Sequence, residues 1–359
     1  MFDFLRFFGI KPKMPTITDN TFLVWEPCTK SHAEVIPGYV KYLIDLGYNV
    51  TVMMSCVKTQ NGLFSRFTEE DMKKITINKF STKEGCKYFS KYSLNGAKGV
   101  LITTARRLSM YKGTYEPELN LFREEDRKKV LFVDHDINTA TDAGNAHERI
   151  ITLMKPDYKG VKTTVINPHY FGEIETPPKN DITNFIMVGV LKGRRRNHKL
   201  LVDTVGELIK SGYTNFKITV IGKGSLNDVS EKIKEYFDIK GAADFETLYK
   251  EMEKADFFLP MLDGDNPEHD RYVTTGTSGS FQLIYGFRKP CLLMEKFAKY
   301  HGFNMENSII YHKNSAFLNA MITAINMSKE DYKKLQDNMK SFEKEIFESS
   351  LNNMKSLTD

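Results

Sequence analysis

From Thr21 onward the chain alternates short apolar runs with longer stretches whose apolar residues recur at helical spacing. TFLVWEP reads as a strand, Glu34 to Leu46 as a helix, and YNVTVMMS as the next strand after Gly47. GVLITTA (Gly99 to Ala105), KVLFVDHD (Lys129 to Asp136), IITLM (Ile150 to Met154) and TTVINP (Thr163 to Pro168) supply further strands. These runs are rich in Val, Ile and Leu, as in strands of a parallel sheet covered on both faces. The first half therefore predicts a doubly wound α/β domain.

Phe171 to Asn184, FGEIETPPKNDITN, carries Pro177 and Pro178 and few apolar residues, which predicts an interdomain linker. A second series follows it. NFIMVGV reads as a strand, Asn197 to Ser211 as a helix and FKITVIGKG as a strand, with helices near Asp228 to Phe237 and Phe245 to Ala255. DFFLPML, KPCLLM and SIIYH read as strands, FQLIYGF and Ser315 to Met327 as helices. From Ser328 the chain is rich in Lys and Glu, with apolar residues at helical spacing. The pattern predicts two Rossmann-like domains and a closing helix, without a fixed-period repeat or a low-complexity tract.

Composition narrows the class. At 359 residues the chain is more than twice a domain of ~150 residues, and 41% hydrophobic with 27% charged residues is ordinary globular usage. No apolar run approaches the ~18 residues of a membrane span, and no small-residue cleavage site follows the N-terminal apolar segment. A formal net charge of +5 is too mild to imply nucleic-acid binding by itself. Cys28, Cys56, Cys86 and Cys291 are scattered, without metal-ligand spacing, so neither a structural zinc nor a disulfide framework is expected. A cytoplasmic location follows. The first residues, MFDFLRFFGI followed by Lys11 and Lys13, are unusually aromatic. Residues 2 to 10 are expected either to pack on the protein or to rest on the inner face of a membrane.

In doubly wound sheets ligands sit at the carboxyl ends of the strands, which selects the residues to weigh. After the first strand, His32 and Glu34 stand at the entry to the first helix, and either could take a proton from an attacking hydroxyl. KVLFV opens into Asp134-His135-Asp136, three titratable groups at a strand end. NFIMVGV runs into Lys192, Arg194, Arg195, Arg196 and Lys199, just where a helix begins; guanidiniums beside a helix N-terminus suit phosphate oxygens. Gly222-Lys223-Gly224 allows close backbone approach next to a positive charge. Thr274 to Ser280, including Thr275, Thr277, Ser278, Gly279 and Ser280, places hydroxyls and backbone donors at the start of FQLIYGF, which suits a diphosphate. A Walker A motif, an intact GxGxxG, GxSxG and HExxH are all missing, which disfavours P-loop NTPases, standard dinucleotide enzymes, α/β-hydrolases and zincins.

This order of features resembles the GT-B glycosyltransferases along nearly the whole chain. HAEVIPGYVKYLIDLGYNVTV, RIITLMKPDYKG, TTVINPHYFG, FIMVGVLKGRRRNHKLLVDTV, ITVIGKG, FETLYKEMEKADFFLPML and SGSFQLIYGFRKPCLL follow the family's elements in sequence. The resemblance implies an acceptor domain over 1–175, a nucleotide-sugar domain over 176–335, and a helix over 336–359 packing back on the first domain. It also implies that Arg196, with Arg194 and Arg195 nearby, meets the donor diphosphate and that His135 faces the donor sugar. The order is that of the family-4 enzymes of bacterial surface polysaccharides, with two departures. Gly189-Val190 stands where those enzymes carry Gly-Arg, and the Thr/Ser/Gly segment replaces their Glu-x7-Glu pair, with Gln282 near the second glutamate.

The expected activity is transfer of a sugar from a nucleotide diphosphate sugar to a hydroxyl of a glycan or lipid-linked acceptor. The arginine turn and the Thr/Ser/Gly helix start would neutralise the leaving diphosphate, so neither a metal nor a cofactor is required. If the anomeric centre inverts, His32 is the base; if it is retained, His135 binds the sugar. A nucleotide-sugar epimerase of similar fold is the alternative, separated by product analysis with donor alone; an inactive nucleotide-binding relative is the other. Nucleic acid is not an expected partner, because no aromatics interleave the arginines.

Overall fold

The computed structural model describes residues 13–28, 32–55, 60–104, 120–191 and 195–359. The aromatic segment 2 to 10 and Arg194 lie outside the described residues. Strands β1 (Thr21–Glu26), β2 (Asn49–Met54), β3 (Ile75–Lys79), β4 (Gly99–Ile102), β5 (Val130–Asp134), β6 (Ile150–Thr152) and β7 (Thr164–Val165) form one sheet. Its order is β3-β2-β1-β4-β5-β6-β7, and every pair is parallel. All six residues of β1 are buried, because helices cover both faces of the sheet centre. On one face Val24, Val52, Leu101 and Val133 pack with the Ile36–Asp45 helix; on the other Trp25, Ile102 and Phe132 pack with Tyr88 and Phe89 of the Thr82–Tyr92 helix.

The second domain repeats the plan. Strands β8 (Thr183–Val188), β9 (Phe216–Ile221), β10 (Phe237–Gly241) and β11 (Phe257–Phe258) are ordered β10-β9-β8-β11. Strands β12 (Leu292–Met294) and β13 (Ile309–Tyr311) pair with each other, and a parallel bridge from Phe258 to Cys291 continues the sheet into them. In each sheet the strand order reverses beside the first strand, between β1 and β4 and between β8 and β11. Those two points open crevices for ligands.

The structure departs from the sequence pattern at the edges. The helix expected near Asp228 to Phe237 shrinks to Glu231–Lys234, and the following residues form β10, whose middle residues are exposed. Between Cys56 and Lys98, where no motif is readable, lie the Glu69–Lys73 and Thr82–Tyr92 helices and β3, another mostly uncovered edge. DFFLPML yields only the two residues of β11, since Pro260 has no N–H to offer a sheet ladder.

The closing helix spans Lys329–Thr358, starting ahead of 336 because Ser328 caps it by accepting from the Asp331 N–H at 3.0 Å. Tyr332, Leu335 and Met339 pack in the second-domain core, whereas Phe347, Leu351 and Met354 pack against the first. One helix thus binds both domains. Among the described residues no helix is long and apolar enough to cross a membrane.

Candidate functional site

The chain beyond the carboxyl ends of β1 and β5 meets the second-domain segment from Arg271 to Ser280 across the interdomain cleft. The backbone itself crosses it: Asp136 and Gly276 form an antiparallel bridge, and the Ile137 N–H donates to the Thr275 carbonyl at 2.9 Å. Asp136 also pairs with Arg271 at 3.1 Å.

On the first-domain side, β1 ends in Glu26, 2% exposed. Its Oε2 accepts from the Thr103 and Thr104 hydroxyls at 2.6 and 2.8 Å, and its Oε1 from the Cys28 N–H. Burial pushes its carboxyl up to about 7, against the pull of these donors and with the nearby Glu34 carboxylate adding to the push. His135, one residue beyond β5, places Nε2 at 2.8 Å from the Thr103 carbonyl. His32 has a left-handed backbone (φ 71°) and its ring meets that of His135 edge-on, centroids 4.7 Å apart. Its Nδ1 is 3.9 Å from Glu34 Oε1. Glu34 reaches the other domain: its Oε1 lies 3.3 Å from where a Cβ on Gly279 would stand.

On the second-domain side, the ends of β8 and β9 approach so closely that a Cβ on Gly222 would collide with the Gly189 carbonyl. Gly222 also has φ +152°, so this pinch needs glycine. It borders Arg196, whose guanidinium donates to Ser278 Oγ at 3.1 Å and Ser280 Oγ at 2.8 Å. Burial presses the Arg196 pKa below its ordinary value, with the Tyr272 phenol opposing the shift. The Arg196 Nε is buried and has no hydrogen-bond partner among the described residues. Ser278 caps the Gly279–Gly286 helix. Inside that helix Gln282 is fully buried, and neither atom of its amide has a partner among the described residues. Buried polar atoms without a partner are rare, and each calls for a hydrogen-bonding partner or a role.

Of the sequence-predicted residues, His32, Glu34, His135 and Asp136 converge on one wall, and Arg196, Gly222, Thr275, Ser278, Gly279, Ser280 and Gln282 on the other. Thr277 is half-buried between them. Arg195, Lys199 and Lys223 are exposed, and Lys199 pairs with Asp203 along its own helix. Sequence reasoning missed Glu26, whose one signal is a carboxylate closing the apolar run TFLVWE, and Tyr272 and Arg271, which carry no local signal.

No family model and no curated protein sequence matches the chain. Solved structures do. HepE from Anabaena, crystallised with UDP and glucose, superposes with a TM-score of 0.58 at 11% identity, covering 94% of this chain and 99% of that one. A glycosyltransferase from Rickettsia africae gives 0.55 at 14% identity, covering 94% and 96%. The chain has the GT-B fold. An α-glucosyltransferase in complex with UDP and a 13-mer DNA gives 0.53 at 10% identity, covering 89% and 94%. In GT-B terms the cleft just described is the space between the two Rossmann-like domains.

Proposed function

We propose that this protein transfers a sugar from a nucleotide diphosphate sugar to a hydroxyl of a glycan or lipid-linked saccharide. The observation that carries this reading is Arg196, clamped by Ser278 and Ser280 at the start of a helix with its Nε–H unpartnered among the described residues, while Glu34, beside His32 and His135, reaches Gly279 of the same helix from the other domain. When the bond from the anomeric carbon to the diphosphate breaks, the electron pair leaves with the diphosphate. The Arg196 guanidinium and the backbone N–H groups at the start of the Gly279–Gly286 helix stabilise that charge in a partly dry site. Gln282, whose amide has no partner among the described residues, suits the hydroxyls or base of the nucleoside. The acceptor hydroxyl bonds to the anomeric carbon and loses its proton. For an inverting reaction His32 takes it. For a retaining one His135 holds the sugar, and the leaving phosphate oxygen takes the proton.

The solved structures of HepE and the α-glucosyltransferase are both complexes with UDP, so UDP and its sugars are the first donors to try. Thermal unfolding with UDP, GDP, ADP and CDP and their sugars, on wild type and Arg196→Ala, tests the site. One diphosphate at a hundredfold its dissociation constant stabilises wild type by about 2.7 kcal/mol, and most of this is lost in the variant. Equal stabilisation of both proteins, or of neither by any nucleotide, overturns the reading.

A further inference from the structure

The buried Glu26 carboxylate is not explained by packing. A strand end between Trp25 and Pro27 could close on any residue of that volume, whereas a carboxylate taken from water costs stability unless every acceptor site is filled. The donors that fill it come from the two chain segments leaving the sheet at its reversal point: the Cys28 N–H after β1, and the Thr103 and Thr104 hydroxyls after β4. Glu26 therefore ties the two exits together. The Thr103 N–H donates to the Trp25 carbonyl at 3.0 Å, which completes the corner.

The Thr103 carbonyl then points at His135, 2.8 Å from Nε2. A carbonyl oxygen can only accept, so the hydrogen of a neutral His135 ring belongs on Nε2 and the lone pair on Nδ1. We infer that Glu26 is a positioning residue for His135: by fixing the Thr103–Thr104 corner it aims the carbonyl that commits His135 to the Nε2–H tautomer. In this tautomer the neutral ring meets a sugar hydroxyl or an acceptor proton as a hydrogen-bond acceptor. That last consequence rests on the proposed transfer reaction; the tautomer itself does not. Orienters of this kind, bonded to the far nitrogen of a working imidazole, recur wherever a histidine's protonation state matters.

The test is a long-range 1H–15N spectrum of the ligand-free full chain with 15N-labelled histidine at pH 8, with His135 identified by its loss in His135→Asn. Wild type is expected to show His135 with the hydrogen on Nε2 and the lone pair on Nδ1. Glu26→Gln and Thr103→Val are each expected to move both nitrogens toward the averaged values of a ring exchanging between tautomers. Should Glu26→Gln fail to fold, Thr103→Val carries the comparison, since it removes one hydroxyl and keeps the carbonyl. A wild-type signal with the hydrogen on Nδ1 overturns the inference without any variant, and so do unchanged His135 signals in the folded variants. Because no nucleotide is present, failure of the transfer reading, seen as no nucleotide-dependent stabilisation, is distinct from failure here.

Discussion

Glu26 is the residue where stability and positioning oppose each other. Its folded-state pKa of about 7 lies above the ordinary value of 4.5 because burial disfavours the charge. The unfolded chain therefore releases this proton first as pH rises. The group has no effect on stability below about pH 4.5, erodes stability between there and 7, and the erosion levels off above 7. Glu26→Gln is accordingly expected to gain stability relative to wild type on going from pH 5 to pH 8, by at most about 3 kcal/mol. Urea unfolding of both proteins at the two pH values measures it, and an advantage independent of pH would contradict the burial argument. Arg196 shows the same economy. Its charge is partly desolvated and, among the described residues, is held by neutral hydroxyls rather than carboxylates, which suits it to an anion.

At the scale of elements, the closing helix does more than cover apolar surface. Midway along it Glu343 accepts from His169 Nε2 at 3.2 Å and pairs with Arg288 at 3.4 Å. Burial alone would raise the Glu343 carboxyl, but the bond from His169 and the charges of His169 and Arg288 outweigh it and hold it below the ordinary value. His169 lies on the chain leaving the first domain, and Arg288 follows the Gly279–Gly286 helix of the second. Three segments meet on one carboxylate. Glu343→Ala leaves a buried imidazole and a guanidinium without it and is expected to cost about 3 kcal/mol in urea unfolding, with Glu343→Gln costing less. A loss below about 0.5 kcal/mol would mean that the helix is held by its apolar face alone.

For the whole molecule, the relative position of the domains is held away from the cleft as well as across it. Arg66 of the first domain donates from Nε and Nη2 to the two carboxylate oxygens of Glu253 at 2.9 and 3.0 Å, and pairs with Glu246 at 3.3 Å. Both partners lie on the Phe245–Lys254 helix, whose Tyr249 hydroxyl donates to the Leu63 carbonyl at 3.1 Å. Bidentate guanidinium pairs fix orientation as well as contact. Arg66→Ala leaves two carboxylates facing an empty place, and we expect it to destabilise the chain by about 1–3 kcal/mol and to enlarge the radius measured by small-angle scattering. An unchanged radius together with unchanged stability would show that the domains are held by other contacts.

The succession of parallel strands and covering helices was legible because strands buried on both faces are written as apolar runs, and helices as 3.6-residue periods. The strand-end position of His135 was legible for the same reason, since once the strands are located the topology says where their carboxyl ends lie; Arg196, Ser278 and Ser280 were legible as basic and hydroxyl residues placed where a helix begins. Edge strands β3 and β10 were not, since an uncovered edge needs no apolar run. Arg196 was singled out through the family resemblance, whereas local sequence does not say that its guanidinium turns toward two serines 82 and 84 positions away. Glu26 and Thr103 are 77 positions apart, Arg66 and Glu253 187. The sequence by itself determined which segments must be buried and with what period. Only the tertiary structure decided which polar groups meet, because a hydrogen bond or ion pair between distant residues forms when packed faces bring them together, and no local pattern records that meeting.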